Sequence, residues 1–300
     1  MSSPSLFCEI ARMTGVIYVN GIIGQKRIRK IIFYIIMFLV SIIMIFPFIW
    51  AMSASFKTTH QLYNGNPLNL LPSPFILTNY EKVLSTLPFF RFMLNSLFLS
   101  VVIPVLMVFL ASMAAYSFAK LRFKGRDVIF LIFLGTMMVP SAVTFIPNYI
   151  IISKLGWINN YLALIVPPLF TASNVFNIFF LKQYFITIPD DLENAAIIDG
   201  CSRFVSFFRI VLPNAKPALA TVSILSFTEQ WNSFLWPLLV MNDYDKMPIQ
   251  VGLTYLKTMT DNWGVILAGA TLAIVPAIII FLIFQKYFVG STVTTGFGGM

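Results

Sequence analysis

Six long apolar segments, separated by short polar stretches, limit what this chain can fold into. Each is long enough to cross the ~30 Å hydrocarbon core as a helix, which takes roughly 20 residues. The segments are Ile31–Met52, Met93–Phe118, Val128–Tyr149, Tyr161–Leu181, Ala218–Leu239 and Gly264–Phe284. Only 10% of the residues are charged, too few to cover a soluble protein in which 58% are hydrophobic. The sequence therefore predicts an all-α integral membrane protein with six transmembrane helices.

The basic residues between the segments predict the orientation in the membrane. With the N-terminus in the cytoplasm, 14 of the 20 Lys and Arg residues lie on the cytoplasmic side, as the positive-inside rule requires. Both termini are then cytoplasmic. We expect a cytoplasmic N-terminal segment (1–30), a membrane domain (31–290) and a cytoplasmic tail (291–300). The charges flank spans and form no continuous stripe, so the expected surroundings are a lipid bilayer and no nucleic acid.

A cytoplasmic loop between the fourth and fifth segments carries the signals of two short helices. Pro189 suits the first turn of one helix, and Gly200 can end it because glycine tolerates a positive φ. Ser202 can cap a second helix. That helix has an apolar stripe that we expect to face the membrane: Phe204, Phe207, Phe208 and Val211. A simple elbow explains the stripe, whereas the small residues 195–196 on the first helix favour a docking surface for a partner.

The loop resembles the EAA loop of ABC-importer permeases, whose pattern is E-A-A-x-x-x-G, nine residues, then I-x-L-P. The matching residues are Ala195, Ala196, Gly200, Ile210, Leu212 and Pro213. Asn194 stands where the family usually has Glu, and Glu193 lies one residue earlier. The resemblance implies a coupling helix that docks into a partner ATPase. The implied coupling residues are Glu193, Asn194, Ala195, Ala196, Asp199, Gly200, Ile210, Leu212 and Pro213.

The resemblance extends over roughly residues 30–290 and is closest to the carbohydrate-uptake branch. The motifs that carry it include Asn95-Ser96-Leu97, residues 114–119 (AAYSFA), residues 231–238 (WNSFLWPL) and residues 284–289 (FQKYFV). It implies a type I ABC importer permease, similar to the smaller permease of maltose systems, in a bacterial-type plasma membrane. The implied partners are a second permease subunit, two cytoplasmic ATPase subunits and an extracytoplasmic sugar-binding protein. The implied function is ATP-driven import of sugars or sugar-derived solutes.

No residues for catalysis or metal binding are evident in the chain. There is no G-x-x-x-x-G-K-[ST] loop to cradle ATP phosphates. The single histidine, His60, lies in the first outside loop, so we expect neither a His-rich metal site nor a nucleophile–His pair. We therefore expect no enzyme activity, no cofactor and no metal in this chain, with ATP hydrolysis supplied by a partner.

A few polar residues inside the predicted spans are candidates for the solute pathway. Glu229 is the only acidic residue placed within a span, and intramembrane carboxylates are costly unless they serve a function. The other candidates, whose amides both donate and accept hydrogen bonds as sugar hydroxyls require, are Gln230, Asn232, Asn174 and Asn177. Two interpretations stay open for Glu229: a residue of the pathway, or a carboxylate bonded to a neighbouring helix or subunit.

The alternative function is an ion- or proton-coupled secondary carrier. Such a carrier would place its driving force in intramembrane acids, for which this chain offers only Glu229. A structural membrane scaffold would leave the docking loop unexplained.

Overall fold

The chain is mainly helical in the part that the computed structural model describes, which is residues 5–66 and 69–296, with side chains over 29–66 and 69–283. There is no strand in these ranges. The α-helices are α1 (Ser5–Ser55), α2 (Thr59–Asn64), α3 (Thr78–Thr86), α4 (Phe89–Lys120), α5 (Arg126–Thr136), α6 (Ser141–Lys154), α7 (Leu162–Ile165), α8 (Ala172–Thr187), α9 (Asp190–Ile198), α10 (Arg203–Ser206), α11 (Leu212–Asn214), α12 (Lys216–Trp231), α13 (Leu235–Val240), α14 (Ile249–Met259) and α15 (Trp263–Gly296). Short 3-10 turns cover Pro167–Phe170 and Tyr244–Lys246, and a π-helix covers Phe207–Val211.

The first of two compact units is Met1–Phe75. Within it, α1 exposes large apolar side chains on all of its faces between residues 31 and 49. Such a surface is stable in lipid and costly in water. The chain then turns into α2, whose first backbone amides are satisfied by a capping box between Thr58 and Gln61.

Within the described residues, three helices are long and apolar enough to cross a membrane, and three bent helix pairs bring the total to six if each pair is one span. The continuous helices contain the first, second and sixth predicted segments. The third, fourth and fifth segments fall in or across the bent pairs. The all-helical membrane fold is therefore confirmed, while the count of six crossings remains a prediction.

Proline accounts for the sharpest of the three bends. The third predicted segment breaks by 94° between α5 and α6, at Pro140. Proline has no N–H to donate and disfavours a helical residue before it. The fourth segment bends by 48° at Thr171, between the 3-10 turn Pro167–Phe170 and α8, where the backbone of Thr171 is extended. By contrast, Pro104 lies inside the unbroken α4.

The fifth span is shorter than the sequence predicted. We expected Ala218–Leu239, but α12 ends at Trp231. Asn232 is the C-cap of α12, and its backbone N–H and its side-chain amide both donate to the carbonyl oxygen of Thr228, at 3.1 and 2.8 Å. A separate helix, α13, then begins at Leu235. The polar end of α12 therefore lies within the predicted segment.

The second unit, Ile76–Met300, is organised around α4. This helix is about 48 Å long at 1.5 Å per residue and packs mainly against α8 and α12. Two hydrophobic clusters fill these interfaces, one toward each end of α4. The cluster at the C-terminal end includes the fully buried Ala111, Ala115 and Ala215, with Phe185 and Val211. Small side chains let the helix backbones approach closely, and this cluster supports the loop that contains α9.

Candidate functional site

Helix α9 begins and ends as the sequence predicted. Pro189 precedes its first residue, and three acidic side chains occupy its first turn, where the helix dipole favours negative charge. At the other end Gly200 has φ +87°. Its N–H donates to Ile197 O at 3.0 Å, and Cys201 N–H donates to Ala196 O at 2.9 Å. These two bonds form a Schellman motif, which fixes the direction of the chain after α9.

One face of α9 is open and contains small and aliphatic side chains. Asn194, Ala195 and Gly200 are exposed, as is Asp199, and Ala196 is half-buried. Ile198 is 84% exposed, an unusual state for a large aliphatic residue outside the spans. Small side chains allow a partner to approach the helix backbone closely. The exposed face therefore has the shape and chemistry of a docking surface.

Glu193 differs from its neighbours because its side chain faces the interior. The residue is only 5% exposed, and its carboxylate accepts a hydrogen bond from the hydroxyl of Tyr116 on α4. The guanidinium of Arg203 lies 3.5 Å from the same carboxylate oxygen. Tyr116 in turn packs against Phe207, with the ring centroids 5.1 Å apart. Glu193 thus holds α9 to the rest of the unit, which its position in the motif did not indicate.

Lys120 makes a second connection between α4 and the loop. Its side chain is 4% exposed, and its ammonium donates to Ile188 O at 2.6 Å and to Asp190 Oδ1 at 2.5 Å. The first bond satisfies a carbonyl group that the end of α8 leaves free. The Lys120 ammonium also holds the pKa of Asp190 below its usual value by hydrogen bonding and by charge. The sequence did not identify Lys120 as part of this site.

The second helical part of the loop differs from the expectation. Ser202 caps α10 as predicted, with its hydroxyl accepting from Val205 N–H at 3.3 Å. The predicted membrane-facing stripe is wrong for Phe207 and Val211, which are 2% and 0% exposed in the interior. The other two members, Phe204 and Phe208, are exposed. A π-helix over Phe207–Val211 changes the rotation of this segment, and no pattern in the sequence predicted it.

The remaining residues of the I-x-L-P motif follow the π-helix. Ile210 and Leu212 are half-buried, and Leu212 packs against the cluster at the C-terminal end of α4. Pro213 is exposed, near the 80° bend between the segment Arg203–Asn214 and α12. These three residues thus shape the elbow behind α9 and contribute little to its open face.

The polar residues proposed for the solute pathway do not form one site. Asn174 and Asn177 are 3% and 2% exposed, and their amides donate to Leu169 O at 2.8 Å and to Ser226 Oγ at 2.9 Å. They are engaged inside the helix bundle. Glu229 is exposed, and its carboxylate accepts from Ser173 Oγ at 2.6 Å.

Gln230 and Asn232 line different cavities. Gln230 borders a cavity of about 20 Å³ between α4, α7 and α13. Asn232 borders one of about 500 Å³ between α12, α14 and α15. Thr228, Trp231 and Gln250 also line the larger cavity, whose other walls are mostly apolar. The sequence analysis did not include Gln250. Among the described side chains, no group of three His, Cys, Asp or Glu residues is placed to hold a metal ion.

Known proteins resemble the chain over most of its length. The family described as binding-protein-dependent transport system inner membrane component matches residues 107–292. The arabinooligosaccharides transport system permease protein AraQ of Halalkalibacterium halodurans is 35% identical over 263 residues, 87% of this chain and 93% of that protein. The trehalose/maltose transport system permease protein MalG of Thermococcus litoralis is 34% identical over 278 residues, 91% of this chain and 98% of that protein.

A solved structure also resembles the chain. It is a bacterial ABC transporter involved in the import of the acidic polysaccharide alginate, with a TM-score of 0.77 and 27% identity. The match covers 87% of this chain and 97% of the solved one.

Proposed function

Because the chain belongs to the family of inner membrane components of binding-protein-dependent transport systems, we propose that it is a permease subunit of an ATP-driven importer of sugars or sugar-derived solutes. The substrate class rests on relatives whose names state arabinooligosaccharides, trehalose and maltose, and on the alginate transporter. These solutes share hydroxyl-rich rings and differ in size and charge. The proposal therefore extends to the class and not to a particular sugar.

The observation that carries the coupling part of the proposal is the open face of α9. Asn194, Ala195, Asp199 and Gly200 present a surface that a cytoplasmic ATPase subunit can cover, with Ala196 at its edge. Glu193 serves the same loop from inside. The half-buried Ile210 and Leu212, together with Pro213, set the elbow that directs the chain into α12. Movement of the ATPase then displaces α9, and the attached spans change the side from which the solute is reached.

The proposed assembly contains this chain, a second permease subunit, two ATPase subunits and an extracytoplasmic sugar-binding protein. Both termini and α9 are on the cytoplasmic side in this arrangement, with the membrane being a bacterial-type plasma membrane. The support is the excess of Lys and Arg on that side and the family to which the chain belongs. A permease that lacks its own ATP-binding loop needs such partners for energy.

The secondary carrier gains no support from the position of Glu229. Its carboxylate is exposed and accepts a hydrogen bond from the hydroxyl of Ser173 on α8. A proton-coupled carrier needs a carboxylate whose protonation is tied to solute binding. If Glu229 belongs to the solute pathway, Glu229→Ala changes which sugars are taken up. If it is only a helix contact, the same variant lowers maximal uptake and leaves the preference among sugars unchanged.

The test of the proposal is extraction of the chain in mild detergent from its native membrane and identification of what co-purifies. We expect a second permease and an ATPase subunit in defined proportion, and a sugar-binding protein whose bound solute identifies the substrate. Uptake in vesicles should continue when the proton gradient is dissipated while ATP is maintained. Recovery of the chain alone, under conditions in which a control transporter stays assembled, would contradict the proposal. Uptake that stops with the proton gradient would favour the secondary carrier.

A further inference from the structure

Two pairs of side chains connect α9 to the C-terminal end of α4. Tyr116 and Lys120 are four residues apart and so share one face of α4, whereas Asp190 and Glu193 are three apart and share one face of α9. Tyr116 donates to Glu193, and Lys120 donates to Asp190. The two contacts lie side by side between the helices.

Each of the two contacts includes a charged side chain that is buried away from water. The carboxylate of Glu193 and the ammonium of Lys120 belong to side chains that are 6% and 4% exposed. A hydrogen bond to a charged group in such surroundings is stronger than one between neutral groups. Breaking it would leave a buried charge with one partner fewer, Arg203 remaining beside Glu193 and Ile188 O beside Lys120, which is unfavourable. Displacement of α9 away from α4 is therefore resisted at both positions.

The opposite end of α4 is tied to a second loop. The Asn95 side-chain amide donates to Asp245 O at 2.9 Å and to Met247 O at 3.0 Å. Ser96 Oγ accepts from Ile249 N–H at 2.7 Å. One continuous helix thus connects the α9 loop with the segment before α14, and Pro104 is the only proline within it.

We propose that the Glu193–Tyr116 contact makes α9 and α4 move as one body, so that a force applied to α9 is delivered along α4 to its far end. Glu193 is then a positioning residue and not a contact to the ATPase. This inference rests on the proposed function and goes further by naming the span that receives the movement. It also explains why a carboxylate is buried beside the proposed coupling surface, where an apolar side chain would pack without the cost of removing a charge from water.

The test measures the distance between α9 and α4 in the assembled transporter. Spin labels are attached to the native Cys201, which follows α9, and to Met113→Cys on an exposed position of α4, with Cys8→Ser removing the other cysteine. Pulsed electron paramagnetic resonance gives the distance without nucleotide and after trapping with ATP and vanadate. We expect the same distance in both states. A shift of the distance peak in this parent protein would overturn the proposal.

Two Tyr→Phe variants form a matched pair. Tyr116→Phe keeps the ring against Phe207 and removes only the hydroxyl that bonds Glu193. Tyr161→Phe removes a hydroxyl that donates to Asn95 at the other end of α4, at 2.8 Å. We expect the distance to shift or broaden with nucleotide in Tyr116→Phe and not in Tyr161→Phe, with transport falling about tenfold while ATP hydrolysis continues. Glu193→Gln retains an acceptor oxygen but removes the charge, so it should weaken the contact and broaden the distance less than Tyr116→Phe does.

The outcomes separate this inference from the proposed function. An unchanged distance and full uptake in Tyr116→Phe would overturn the inference, as would equal losses in both Tyr→Phe variants. If no ATPase subunit co-purifies with the parent protein, the proposed function itself is wrong. If Tyr116→Phe does not assemble, the parent distance and Glu193→Gln decide the question: a distance and an uptake in Glu193→Gln that equal those of the parent would overturn the inference.

Discussion

Gly200→Asp should uncouple transport while leaving the permease folded. Gly200 has φ +87°, and a Cβ built there meets nothing within 4 Å. The cost in the isolated chain is therefore only that of a non-glycine residue in the left-handed region, about 1–2 kcal/mol. A carboxylate introduced on the open face of α9 would be buried against the ATPase without a partner. An unpaired buried charge costs about 3–5 kcal/mol, so ATPase binding should weaken by at least about a hundredfold.

Gly156→Asp is the matched control for this change. Gly156 is also exposed, has φ +69° and has open space where the Cβ would stand, but it lies in the turn after α6. The two variants carry the same backbone strain at different places. Both should appear in the membrane at parental levels, and the amount of ATPase subunit recovered with the purified permease should fall only for Gly200→Asp. Parental ATPase recovery and uptake in Gly200→Asp would refute the coupling role of the α9 face. Equal losses in both variants would show that the effect is backbone strain.

The other predictions concern the anchoring of the loop and the packing of the spans. Lys120→Met removes the ammonium that donates to Ile188 O and to the Asp190 carboxylate, and it should destabilise the loop by about 1.5–3 kcal/mol. The loop should then be cleaved faster by a protease, whereas Lys124→Met, at an exposed position, should leave the rate of cleavage unchanged. The pKa of Asp190 is lowered in the folded chain. The ionised carboxylate therefore stabilises the loop at pH values above its unfolded pKa, which is near 3.9, and this stabilisation is lost as the pH falls through the folded pKa. Loop proteolysis by an acid-active protease should therefore rise below pH ~4, and Asp190→Asn should remove that rise. Gly252→Ala places a Cβ 2.2 Å from a phenylalanine ring of α4, and it should lower the free energy of unfolding by about 1–3 kcal/mol, measured by thermal denaturation. At Gly135 in α5 an added Cβ has no neighbouring atom within 4 Å, so Gly135→Ala should raise the free energy of unfolding by about 0.5–1 kcal/mol.

The fold was predictable from the sequence where one physical signal dominates. Apolar length placed α4 and α15, since a run of that length has few alternatives in a membrane. The limits of α9 were also predictable, because Pro189 and Gly200 act through local backbone geometry. The π-helix at Phe207–Val211 and the early end of α12 were not, since both depend on packing and hydrogen bonds that form only in the folded chain. Local patterns therefore identified the limits of α9 but not the contacts that hold it in place.

The position of Glu193 bears on how the α9 face is recognised. Successive residues of an α-helix are rotated by about 100°, so a carboxylate one position before Asn194 cannot replace one at Asn194. The structure agrees, with Glu193 turned to Tyr116 and Asn194 exposed. The charge of Glu193 is thus already used inside the unit, and an uncharged amide stands beside Ala195 on the open face. Recognition of this part of the face must then come mainly from close approach and apolar burial, to which the exposed Ile198 contributes. In the proposed function the buried charged groups orient α9, and its open face offers mainly small and aliphatic groups with Asp199 beside them.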